Sequence, residues 1–306
     1  MQSERTSVQL VQVGPEENGR KLVSFLEARL GVLPTGLLMR LVRTGQVRVD
    51  GRRCKPFDRV LTGQVVRVPP VSVQRREEPA RLLPGLDVVF ENDEMLVIDK
   101  PAGLPVHGGT GWTDSAHDRL KERFADRIFV PVPVHRLDRD TSGILLCAKT
   151  HDFLRAMHAS WPFVTKAYMC WVEGQWSGTG WQTIVSNLAK VATESGEQVV
   201  SGGGKRAVSH VHRLAGTGQR SLLLVVLGTG RTHQIRVHLA DSGCPIVGDP
   251  RYGRGGGLLL HAAALSWPGR SFFVLPPWQE EFEIKRVGAQ EIQDILSTAP
   301  AKEGAI

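Results

Sequence analysis

Val134–Thr150 reads VHRLDRDTSGILLCAKT, a polar half followed by an apolar half. The polar half packs His135, Arg136, Asp138, Arg139, Asp140, Thr141 and Ser142 into eight positions and closes on Gly143. The apolar half, Ile144–Ala148, has the length of a buried strand. Chargeable groups on a loop carried by such a strand are the layout of a working site. Taken alone, the run equally fits an ordinary loop with a surface ion pair. The rest of the chain has to decide.

At 306 residues the chain accommodates one large domain and one small one. Its net charge is +7, and the placement of that charge says more than its size. Between Asn18 and Val68 stand eleven Lys and Arg against three Asp and Glu, a balance of +8, while the remainder holds 27 basic and 28 acidic residues. So local an asymmetry points to a polyanion-binding module attached to a second domain. Cys54, Cys147, Cys170 and Cys244 are far apart and form no CxxC pair, which suits reduced structural thiols rather than a disulfide frame or a zinc site. MQSERTSVQL lacks the apolar core of a signal peptide, and no run approaches the length of a membrane span. The expectation is a soluble, cytoplasmic protein without membrane partners.

Moving outward, residues 1–17 read as a flexible or strand-like N-terminus. An apolar stripe at helical spacing (Leu22, Val23, Phe25, Leu26, Leu30) predicts a helix over Arg20–Leu30. A second helix should start at Pro34, run to Arg43 and stop at Gly45. VRVDG, at Val47–Gly51, reads as a strand entering an Asp-Gly turn, and VVRV, at Val65–Val68, as another strand. Residues 69–85 are rich in proline and charge and predict a linker. A large domain is expected over 86–290, opening with the strands LDVVF and MLVIDK, followed by a tail over 291–306. The glycine-rich stretches HGGTG (His107–Gly111) and SGGGK (Ser201–Lys205) lack the trailing Lys-Ser of a phosphate-binding loop and read as flexible connections, so no nucleotide cofactor is implied. Thr113–Phe124 predicts a helix capped by Thr113 or Asp114, and His151–Trp161 another. Lys166–Val172 and Ser221–Leu227 are strand-like. Thr232 should cap a helix ended by Gly243. Strands dominate, so the fold class is mixed α+β, with a mostly antiparallel sheet.

HRLDRDTSG followed by a strand resembles the catalytic motif of the RluA-type pseudouridine synthases, which isomerise uridine in RNA. The likeness continues in IDKPAGLPVHGG (Ile98–Gly109), TKAY (Thr165–Tyr168), GRTHQIRVHLA (Gly230–Ala240), GDPRYG (Gly248–Gly253) and LHAAAL (Leu260–Leu265). It thus spans nearly everything from Leu86 to Pro277, and the basic N-terminal segment adds the layout of the RluC-like branch. The resemblance implies the pseudouridine synthase fold, preceded by a small S-four-type RNA-binding domain over 18–68. Arg40, Arg43, Arg48, Arg52, Arg53 and Lys55 are its candidate phosphate contacts.

The same resemblance assigns roles in the large domain. Asp138 matches the catalytic aspartate, with Asp140 structural; Tyr168 matches the tyrosine lying against the target base. Arg236 matches the basic residue that pairs with the aspartate. Arg136 corresponds to the residue entering the space left by a flipped nucleotide. His135 is a further candidate RNA contact, and Arg231 and His233, in the run of Arg236, are expected to shape the pocket or touch phosphate. Tyr252 reads as a packing residue. His233 and His238 have no third ligand nearby, so no metal is expected. Isomerisation gains and loses no atom, so no cofactor is required. The implied partner is RNA, either large-subunit (23S) ribosomal RNA or its precursor, met by a monomer. The alternatives are a tRNA-directed enzyme of the same family and a non-catalytic ribosome-assembly factor. A carboxylate glycosidase would need a second acid that no motif offers.

Overall fold

A computed structural model describes the chain except for residues 1–2, 6, 31–32, 75–82, 110–113, 194–195, 285–287 and 301–306. Residues 75–82 of the expected linker therefore lie outside the described residues, while Ser72–Gln74, within the same span, pairs antiparallel with Ser3–Arg5 as a two-stranded sheet.

The N-terminal unit follows its sequence signals closely. Helices Leu22–Leu30 and Thr35–Arg43 pack on a three-stranded antiparallel sheet in which Val65–Val68 lies between Gln9–Gln12 and Arg48–Val49. Leu22, Phe25, Leu26, Leu38, Val42, Val66 and Val68 fill the core. Pro34 precedes the second helix and Gly45, in a left-handed conformation, follows it. Asp50 and Gly51 both take positive φ, and Val49 and Arg52 exchange backbone hydrogen bonds across them, the geometry of a two-residue hairpin. Val13 and Val71, outside the expected 18–68 span, are buried in the same core.

The large unit is built on one eleven-stranded sheet. Its path runs Gly196–Ser201, Trp181–Thr193, Lys205–Gly216, Arg220–Leu227, Thr165–Glu173, Leu260–Trp267, Ser142–Ala148, Met95–Lys100 and Asp87–Glu91. Val132–Pro133 adds beside Ser142–Ala148, and Arg270–Phe273 beside Leu260–Trp267. Ser142–Ala148 is buried at every position and Arg220–Leu227 at all but its first, as strands covered on both faces should be.

Among the described residues every pairing is antiparallel except one. Leu260–Trp267 and Ser142–Ala148 run parallel, in register at His261–Ser142 and Ala262–Gly143. The seam is close: a side chain on Gly143, whose φ is +108°, would overlap the Ala262 carbonyl. Only glycine fits there. Ser142 Oγ lies 2.9 Å from His261 Nδ1, and His261 Nε2 lies 3.2 Å from the Val274 carbonyl. Burial lowers the His261 pKa to about 4, so the neutral ring bonds on both sides.

The helix ends differ from the expected ones. Thr113 lies outside the described residues, and Asp114 pairs with Arg119 at 2.7 Å instead of capping. Ser115 caps Ala116–Arg123, its Oγ accepting the Asp118 N–H at 3.1 Å. His233, not Thr232, precedes the helix Gln234–Asp241, with a left-handed φ of +51°. Ser201–Lys205 forms a hairpin turn, Gly202 donating to the Asn187 carbonyl, rather than a flexible connection. Within the expected tail, helix Ala289–Ser297 buries Ile292 against the sheet and Thr298 accepts the Trp181 indole N–H at 3.2 Å.

Candidate active site

A cavity of about 390 Å³ opens where three elements converge, with Arg136, Asp138, Tyr168, Leu227, His233 and Arg236 on its wall. Asp138 comes from the loop before Ser142–Ala148, Tyr168 from Thr165–Glu173, and Arg236 from the first turn of Gln234–Asp241. The three residues expected to carry the chemistry thus meet in one place.

Asp138 sits in a turn closed by the Thr141 N–H on its own carbonyl, at 3.2 Å. Its side chain is 25% exposed, open to the cavity. The loop is held from beneath by Lys100, which is fully buried and was not singled out from the sequence. Its ammonium donates to the carbonyls of Pro101, Leu104 and Arg139, at 2.8, 2.9 and 3.0 Å. Burial lowers its pKa to about 8 against the opposing pull of Asp140, Asp138 and Asp99. A lysine at the buried end of MLVIDK was a usable signal, because a buried lysine needs partners.

Arg236 does not take Asp138 as its principal partner. Its Nε and Nη2 donate to the two carboxylate oxygens of Asp249, both at 2.7 Å, while Nη1 stands 3.6 Å from Asp138. Asp249, from GDPRYG, is fully buried and also accepts the backbone N–H groups of Arg251 and Tyr252. Burial alone would raise its pKa, but the bonds from Arg236 and from the Arg251 N–H outweigh that and hold it below the usual carboxylate range. The pair fixes the Arg236 guanidinium beside the Asp138 carboxylate, with Nη1 left toward it.

Tyr252 does more than pack. Its ring lies 5.2 Å from the Arg236 guanidinium, and its hydroxyl is 3.0 Å from His233 Nδ1. His233 in turn places Nε2 3.7 Å from the Asp138 carboxylate. Burial, helped by the Arg236 charge, keeps this imidazole below its usual pKa against the attraction of Asp138. Buried Gln234 fixes the turn that presents it, accepting from Thr229 and the Arg231 N–H and donating to Val208 and Ser209.

Tyr168 is buried in the strand with its side chain on the cavity wall. Burial, and then the charge of Asp138, push its hydroxyl up, so it stays protonated across the physiological range.

The outer residues divide. Arg136 is exposed at the mouth of the cavity, and Arg231 at its rim donates to the Arg206 carbonyl at 3.0 Å. His135, a candidate RNA contact, lines the cavity and is also bound inward. It stacks on Trp161 at 5.0 Å, accepts the Leu146 N–H at 3.1 Å, and burial lowers its pKa to about 3. It ties the loop to its strand as a neutral ring. Asp140 is paired with Arg139 at 2.7 Å. His238 is held by Ser186 and Ser209, both at 3.0 Å. Arg40, Arg43, Arg48, Arg52, Arg53 and Lys55 are all exposed on the N-terminal unit and do not line the cavity.

Residues 94–241 match the family model described as RNA pseudouridylate synthase. With the nearly full-length relatives that follow, this match establishes that the chain belongs to that family. A ribosomal large subunit pseudouridine synthase C from Yersinia pestis is 38% identical over 288 residues, 87% of this chain and 89% of its own. The protein of the same description from Escherichia coli (strain K12) is 36% identical over 292 residues, covering 87% and 91%. Among solved structures, human RNA pseudouridylate synthase domain containing 1 overlays with a TM-score of 0.59 at 23% identity, covering 72% of this chain and all of that one. That likeness speaks for the fold.

Proposed function

We propose that this protein isomerises particular uridines of large-subunit ribosomal RNA to pseudouridine, with Asp138 as the carboxylate that acts at the sugar. The observation that carries the reading is the convergence of Asp138, Tyr168 and Arg236 on one cavity. The RNA class is carried over from the relatives described as ribosomal large subunit enzymes.

The reaction breaks the bond from the anomeric carbon to N1, turns the uracil in place, and rejoins the sugar at C5. The C5 proton leaves and N1 gains one, so atoms balance without an oxidant, a metal or ATP. An ionised carboxylate serves either as nucleophile at the anomeric carbon or as base at its neighbour. Arg236, locked by Asp249, keeps a positive edge 3.6 Å from that carboxylate. Tyr168 offers a ring for the base to lie against and a neutral hydroxyl near the departing proton.

A target base lying against Tyr168 has to be taken out of its stack. Unstacking costs about a few kcal/mol, and Arg136 at the mouth fills the vacated space. The exposed arginines of the N-terminal unit, read as an S-four-type module, supply phosphate contacts. The enzyme works as a cytoplasmic monomer without a nucleotide cofactor.

The test is pseudouridine mapping in ribosomal and transfer RNA from cells lacking the gene, complemented with wild type or Asp138→Asn. Sites in large-subunit RNA should disappear and return only with wild type. Loss confined to tRNA would transfer the substrate to tRNA. Restoration by Asp138→Asn would remove the carboxylate from the mechanism.

A further inference from the structure

The N-terminal unit has two aromatic residues among those described, and they are placed in opposite ways. Phe25 is fully buried in its core, whereas Phe57 has 61% of its surface in water. The backbone around Phe57 is fixed. In the turn Lys55–Asp58 the Asp58 N–H donates to the Lys55 carbonyl at 3.1 Å, and the Lys55 N–H donates to the Asp58 carboxylate at 2.6 Å. The carbonyls of Pro56 and Asp58 then accept the N–H groups of Val23 and Leu22, at 3.0 and 2.8 Å. These are first-turn donors of the helix Leu22–Leu30 that no bond within the helix satisfies. Every one of these bonds avoids the side chain of Phe57, so the turn would form equally well with a polar residue at its tip.

The surroundings of the ring are cationic. Lys21 places its ammonium 5.5 Å from the ring centroid. Arg52, Arg53, Lys55 and Arg59, all exposed, flank the turn. An exposed ring on a fixed turn among cations is an arrangement on which a nucleic-acid base stacks while its phosphates meet the charges. We propose that Phe57 is a stacking platform for one unpaired base of the RNA substrate. The inference rests on the proposed function in taking RNA as the partner. It adds that the N-terminal unit contacts a single-stranded stretch, for which phosphate contacts alone would show no preference.

The experiment compares full-length wild type, Phe57→Leu and Phe57→Tyr, binding single-stranded oligouridine and an RNA duplex of equal length across a salt series. Leucine keeps apolar bulk but has no aromatic face; tyrosine keeps the face. Phe57→Leu should bind the single strand about 5- to 150-fold more weakly, the fold-change of one lost base stack. Its slope of log affinity against log salt should not change, because no cation is removed. Phe57→Tyr should match wild type, and duplex binding should be unaltered in all three. Single-strand binding by Phe57→Leu within twofold of wild type overturns the platform. So does an equal loss on duplex, a flatter salt slope, or a Phe57→Tyr variant as weak as Phe57→Leu. If wild type modifies ribosomal RNA while any of these holds, only the platform falls. If wild type binds neither RNA, the proposed function falls with it.

Discussion

Replacing Asp249 by Asn tests how the site keeps its cation in place. The carboxylate is fully buried, takes both guanidinium bonds of Arg236 at 2.7 Å, and accepts two backbone N–H groups. Breaking a buried pair from one side costs about 3–5 kcal/mol, because the remaining charge stays buried without its partner. Asparagine preserves one acceptor oxygen but turns an NH₂ group toward another donor, which puts the expected cost at the lower end, about 3 kcal/mol. For a unit of this size each kcal/mol moves Tm by about 2–4 °C, so a fall of roughly 6–12 °C is expected. The released guanidinium, already 3.6 Å from Asp138, should close on that carboxylate and occupy the face meant for the sugar. Turnover should then drop at least about tenfold, more than a surface substitution would cause. The sign of the pH effect follows from the lowered pKa of Asp249. Its stabilisation is present above the ordinary carboxylate range and is lost as pH falls through its lower folded value, so the Tm gap between wild type and variant should shrink in acid. Thermal unfolding followed by circular dichroism and single-turnover pseudouridine formation would measure both. A Tm change below about 2 °C with an unaltered rate would refute the claim that this pair positions Arg236.

Tyr168→Phe keeps the ring and removes a hydroxyl that is protonated throughout the working range; RNA affinity should hold while the rate falls about 10² or more, and a fully active variant would leave stacking as the only role. Lys100→Met removes a buried charge but strands three carbonyls, one of them Arg139 in the Asp138 loop, so turnover should fall more than stability. Its folded pKa, about 8, lies below the ordinary lysine value, so folding releases a proton between about pH 8 and 10. Wild-type stability should rise with pH across that window relative to Lys100→Met, and parallel Tm curves for the two proteins would refute this. Gly143→Ala places a methyl group against the Ala262 carbonyl at a φ that favours glycine, which should lower Tm by roughly 5–10 °C; a neutral result would mean that the seam gives way without strain.

Much of this arrangement was legible because local signals and tertiary needs agreed. Ile144–Ala148 and Leu222–Leu227 are apolar without alternation, and both became strands covered on two faces. Pro34 and Gly45 marked the second helix almost to the residue, because each has a conformational reason for its place. Asp138, Tyr168 and Arg236 were found through their motifs, and they converge. What stayed hidden depends on contacts across the chain. Asp249 sits in GDPRYG, a run that carries the likeness without a role for this residue, and only the fold reveals that it faces Arg236. The motif offered His135 as a candidate RNA contact but gave no sign that it stacks on Trp161 and accepts a backbone amide. At the start of Ala116–Arg123, Thr113, Asp114 and Ser115 are all good caps, so sequence could not choose among them. The left-handed His233 had no signal, since that conformation is uncommon for any residue but glycine and is set here by the turn Gln234 organises.

The parallel seam also sets a timetable for synthesis. Asp138 stands at the head of a strand whose neighbour across the seam is fixed by the Ser142–His261 contact, between residues 119 positions apart. At a ribosome adding about 5–20 residues each second, that partner emerges roughly 6–24 s after the Asp138 loop. During that interval the basic N-terminal unit is already complete, while Asp138 has no pocket around it. The chain therefore carries a finished first unit well before the cavity closes, and the cavity waits for the second half of the sheet.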